Sequence, residues 1–227
     1  MGKNKVTTSH NPTGKEEQGS ISDLWKQHGI EDVYFQRETI VTFLSILGGV
    51  AVGALLTQFL PMVEQVRDSR WQLLLFFAAS IFILFNNWIM ISWGTLVLKW
   101  TISIPLLIPQ LLACLSTCIM CLFLTNPSGW MASVGTMFIF TLLIQFLLMK
   151  AGRWDNFSSQ NVNGIKTYLL IYFIWMIMSF LASALLYFYP SKINEIIWGV
   201  VALLSSIAGL VLQHQGMERE RKEFGIP

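Results

Sequence analysis

The side chains placed to do chemistry within the apolar runs of this sequence are uncharged. The stretch "FILFNNWIM", residues 82–90, sets Asn86 and Asn87 side by side, and Gln110 and Gln145 stand in two further uncharged runs. An amide brings a donor and an acceptor without the cost of a charge in hydrocarbon, so such groups either tie helices together or line a water-filled cavity. Pro105 and Pro109 precede Gln110, and each removes a backbone donor that neighbouring polar groups must compensate.

Cys114, Cys118 and Cys121 recur at i, i+4 and i+7, which puts three thiols on one helical face. Soft sulfur suits Cu(I), with Met120 nearby, but thiols are also good small packing groups. We read them as packing groups and expect no metal and no other cofactor.

Ionisable groups are missing where catalysis inside a membrane would need them. No Asp, Glu, Lys or Arg falls at the apolar centre of a span; Glu64 and Glu195 lie at span ends, and His10, His28 and His214 lie outside. Proton relays, intramembrane hydrolysis and lipid transfer require positioned acids, bases or metal ligands. The expectation is therefore a protein that is not an enzyme and has no catalytic residues. A surface site built from Lys150, Asp155 and His214 has no further support.

These side chains are carried by elements that composition defines well. The 227 residues are 54% hydrophobic and 12% charged, which suits a polytopic membrane protein and not an ordinary soluble domain. Uncharged runs extend over Thr39–Met62, Trp71–Leu98, Trp100–Met149, Thr167–Ser191 and Ile196–Met217. About 20 apolar residues suffice to span a bilayer, so each run can hold a crossing. The run from Trp100 is long enough for two and is divided by the turn signal "TNPSG" at 125–129. The fold class is thus all-α, a bundle of about six transmembrane helices near 39–62, 71–96, 101–124, 129–149, 167–189 and 193–213.

With the N-terminus inside, twelve Lys and Arg residues face the cytoplasm and three, Arg67, Arg70 and Lys192, face out. That bias orients both termini to the cytoplasm. Trp88, Trp93 and Trp100 then mark the approach to the inner interface, and the four amides share the inner leaflet. Residues 1–38 form a polar tail without a cleavable signal, in which Ser20 and Asp23 have capping-box spacing and 20–35 suits an interfacial helix. Residues 214–227 form a charged helical tail, with Glu218 and Lys222 at i,i+4. The sequon at Asn156 falls on the cytoplasmic side, and a net charge of +2 does not point to nucleic acid.

Along the first span, Ser45, Gly49, Gly53 and Thr57 repeat every four residues and form a ridge that lets another helix approach closely. Its partner is either a helix of the same chain or another protomer. The expected role is a non-enzymatic membrane subunit or anchor of a larger assembly in the cell (inner) membrane, engaging a cytoplasmic protein or a second copy through its cytoplasmic ends. The alternative is a channel or uniporter in which Asn86, Asn87, Gln110 and Gln145 line a cytoplasmic vestibule.

Overall fold

The described turns of this chain are closed by the residues that its sequence places there. α1 (Val33–Arg67) ends where Arg70 N–H bonds the Gln65 carbonyl and Ser69 N–H bonds that of Val66, with Ser69 at φ 74° in the left-handed region. This paired capping arrangement usually recruits glycine, so Ser69 holds a strained conformation there. α2 (Leu73–Ser92) follows directly, and α3 (Ile104–Leu122) carries Pro105 in its first turn and Pro109 inside.

In "TNPSG", Asn126 caps α4 (Pro127–Lys150): its Oδ1 accepts the Gly129 N–H at 3.2 Å, and Pro127 takes the first helical position. An Asn cap followed by proline satisfies one orphan amide and removes another. α5 (Ser159–Phe188) turns tightly into α6 (Lys192–Glu223), where the Ser191 hydroxyl caps Asn194 N–H at 3.1 Å.

The computed structural model describes residues 33–92, 104–150 and 159–223, and among them there are six helices and no strand. Most of the expected interfacial segment 20–35, together with Trp93, Lys99, Trp100, Asp155 and Asn156, lies outside the described residues. The three tight turns gather at one end of the bundle, called here the turn end; the start of α1 and the finish of α6 lie at the other, the terminal end. Several helices are longer than the apolar runs require. α1 starts ahead of residue 39, α5 ahead of 167, and α6 runs beyond 213. Polarity alone does not stop a helix that lacks a breaker.

α4 lies along both α3 and α5, α2 lies along α6, and α1 rests mainly against α3. α5 and α6, although joined by a short turn, barely meet. The core sits towards the turn end, where Met62, Leu73, Phe76, Met120, Leu124 and Trp130 are all buried. Trp130 stands edge-on to Phe76 with ring centroids 5.3 Å apart and donates its indole N–H to Ser80 Oγ at 2.8 Å. α4 and α5 are pinned by Ser128 and Ser183, whose hydroxyls each reach the other residue's carbonyl at 2.9 Å. Outward-facing apolar residues such as Leu60, at 70% exposure, suit a hydrocarbon solvent.

Candidate functional site

The adjacent amides of α2 face in different directions, as they must when successive helical residues are about 100° apart. Asn87 turns towards α3 and α4. Its Nδ2 donates to Thr117 Oγ1 at 3.0 Å and lies 3.6 Å from Met137 Sδ. Thr117 is itself tied to its own helix through the Ala113 carbonyl, also at 3.0 Å. Beside this bond lies a cavity of about 50 Å³ between α1, α2 and α3, lined by Leu44, Ser45, Gly48, Asn87, Cys114 and Thr117 among others. At about 10–15 Å³ for each water centre, it has room for a few waters. A short polar wall in an apolar cleft can hold water or one hydrogen-bonding group; it is no acid–base site.

Asn86 faces elsewhere. Its Oδ1 is buried and has no hydrogen-bond partner among the described residues. Gln110 and Gln145 are half-buried on α3 and α4. The Thr117–Met137 contact sets the antiparallel register of those helices. Continued at the same rise, it brings the two glutamines level with each other, about two turns nearer the terminal end. No hydrogen bond joins any two of the four amides among the described residues, so they do not form one bonded cluster.

The three thiols stay on one face of α3 but meet different surroundings. Cys114 lines the cavity, Cys118 Sγ lies 3.5 Å from the Leu47 carbonyl, and Cys118 and Cys121 both belong to the hydrophobic core. Among the described residues no three His, Cys, Asp or Glu side chains are grouped as metal ligands. The ridge residues Ser45, Gly49, Gly53 and Thr57 are exposed, and a Cβ built on Gly48, Gly49 or Gly53 would meet nothing within 4 Å. Among the described residues the ridge is therefore not an interface within this chain. The α1 contacts to α3 run along the opposite side, through Leu44, Ala51 and Leu55.

A polar node at the turn end was not legible as a site in the sequence. Arg70, set in place by the α1 cap, donates to Gln65 Oε1 at 2.6 Å and to Glu195 Oε1 at 2.8 Å. Gln72 Nε2 reaches the other Glu195 oxygen at 2.5 Å. The node ties the α1–α2 turn to the first turn of α6, where the helix dipole also favours a carboxylate. Glu195 was visible only as a charge at a span end; its partners lie more than 120 residues away.

Among the described residues, five helices long and apolar enough to cross a bilayer, and a shorter apolar stretch at Leu107–Leu122, define a multi-pass, helical integral membrane protein. No protein-family model matches the chain, and neither a curated protein nor a solved structure matches it.

Proposed function

We propose that this protein is a non-enzymatic membrane subunit that crosses the bilayer six times, with both termini cytoplasmic, and docks a transmembrane helix of another chain on α1. The observation that supports this is the open ridge of Ser45, Gly49, Gly53 and Thr57. Lipid tails are as apolar as leucine, so helices associate in membranes where small residues let backbones approach. Two glycines, Gly49 and Gly53, whose missing side chains benefit no neighbour among the described residues leave such a surface free.

The inward termini are supported by the Lys and Arg bias, twelve against three. α3 makes the sixth crossing, its apolar stretch of Leu107–Leu122 being extended by the residues before it. The α6 extension, with Glu218 near Arg221 at 3.8 Å, supplies a charged helical surface for a cytoplasmic partner. The Asn87 cavity does not by itself make a path, because a volume of about 50 Å³ is only a few Å across and the hydrocarbon core is about 30 Å thick.

The test replaces Gly49 and Gly53 with Leu in the full chain and measures the native complex by crosslinking and mass after gentle solubilisation. The complex is expected to dissociate while the helical content and melting of the chain itself stay unchanged. A complex of undiminished mass would refute the docking role. Solute flux in proteoliposomes that Asn87→Leu abolishes would replace the subunit reading with a channel.

A further inference from the structure

α2 and α6 run parallel and in step. Gln72 meets Glu195 at the turn end, and one turn on Gly199 lies so close to α2 that a Cβ there would come within 3.0 Å of Leu75 and 3.2 Å of Phe76. Carrying this register forward at 1.5 Å per residue brings Asn86 level with Gly209, with Gln213 one turn beyond. Asn86 lies on the same stripe of α2 as Gln72, Leu75 and Ala79; Gln213 lies on the same stripe of α6 as Glu195, Ala202 and Ser206. Both amides therefore belong to one seam.

Two observations distinguish the terminal half of that seam from the turn half. It is looser: among the described residues a Cβ on Gly209 would meet nothing within 4 Å, in contrast to Gly199. It also holds three buried polar atoms, Asn86 Oδ1, Gln213 Oε1 and Gln213 Nε2, with no hydrogen-bond partner among the described residues, against one, Gln72 Oε1, in the turn half. The serine in the seam makes no demand, because Ser206 Oγ is bonded to the Ala202 carbonyl at 2.7 Å. Unpaired amide atoms away from water each cost several kcal/mol in a membrane interior, and a seam that is both loose and unpaired has the room and the groups to hold something.

We infer that the α2–α6 seam at Asn86, Gly209 and Gln213 is a binding crevice for an uncharged molecule that both donates and accepts hydrogen bonds. Two unpaired acceptors and one unpaired donor belong to the stripes that border it, and no charged side chain stands on either stripe between Glu195 and the end of α2. An ion would find no compensating charge. Water satisfies that chemistry, and so does a small solute bearing an amide or a hydroxyl. The crevice lies on the other side of α2 from the Asn87 cavity and is independent of docking on α1.

The experiment introduces Gly209→Cys or, as a lipid-facing reference, Leu204→Cys into the full chain in nanodiscs. A small charged methanethiosulfonate is added, and mass spectrometry locates the adducts. The thiolate is the reacting species and forms only where water reaches, so labelling at 209 is expected at least about tenfold faster than at 204. Adding Asn86→Leu or Gln213→Leu should return it to the reference rate. Protection by acetamide or urea identifies a solute site, and fast labelling without protection identifies a water site. Labelling at 209 no faster than at 204 overturns the inference. A second reading needs no introduced thiol: Asn86→Leu and Gln213→Leu should each lower the melting temperature, and the pair together should lower it no further than the worse single change. If either change raises it, the crevice is dry and the inference fails.

Discussion

Replacing Ser80 with Ala should destabilise the protein well beyond the hydroxyl it removes. Trp130 is 1% exposed and its indole nitrogen has one partner, Ser80 Oγ, at 2.8 Å. Ser80 donates in turn to the Phe76 carbonyl at 2.8 Å, which fixes its hydroxyl as the acceptor of the indole proton. Alanine leaves that N–H buried and unpaired, at a cost of about 1–3 kcal/mol. Polar pairs in membrane bundles average about 0.6 kcal/mol and reach about 1.7, because loosened groups often find another partner. Here the neighbours are Phe76 and other apolar side chains, so a value near the upper figure is expected. Trp130→Phe removes the donor and leaves a void, at about 24 cal/mol per Å³ of residual cavity. In that background Ser80→Ala should cost almost nothing further. The assay is a double-mutant cycle on reversible unfolding in bicelles, followed by circular dichroism. A coupling energy below about 0.5 kcal/mol, the usual limit of additivity, would refute the claim that this bond organises the core.

Two further substitutions probe the turn end. Ser69→Gly should stabilise by about 0.5–1 kcal/mol, since relief of a left-handed residue exceeds the entropic cost of glycine; unfolding midpoints measure it, and a decrease would contradict the capping geometry. Glu195→Gln keeps an acceptor for Gln72 but removes the charge that Arg70 meets at 2.8 Å, and should cost about 1–2 kcal/mol. The same loss in an Arg70→Gln background would show that the pair contributes nothing as a pair.

The helical class and its punctuation were largely readable in advance. Long uncharged runs implied spanning helices, and "TNPSG" marked a turn that the Asn126 cap now explains. Helix ends were harder. The polar residues at the start of α5 and the finish of α6 contain nothing that forbids a helix, so composition stopped short of where the backbone does. The amides were legible as residues but not as a site. Sharing a leaflet says nothing about direction, and Asn87 found Thr117 while Asn86 Oδ1 is buried without a partner among the described residues. The Arg70–Glu195 node could not be foreseen, because it depends on a capped turn meeting a helix start far along the chain.

What the sequence determined by itself is the solvent and the local grammar: hydrophobicity and the absence of internal charge are summed along the chain, and caps act within a few residues. What only the tertiary structure decided is which face of each helix meets which neighbour. The spacing of Ser45, Gly49, Gly53 and Thr57 guaranteed a ridge but not its partner, and packing through Leu44, Ala51 and Leu55 turned that ridge outward. The physical reason is that, in a chain apolar on nearly every side, burial no longer distinguishes one helical face from another. The choice passes to close fits such as Gly199 against Leu75, and to single hydrogen bonds such as Trp130 to Ser80, whose two partners lie on different helices.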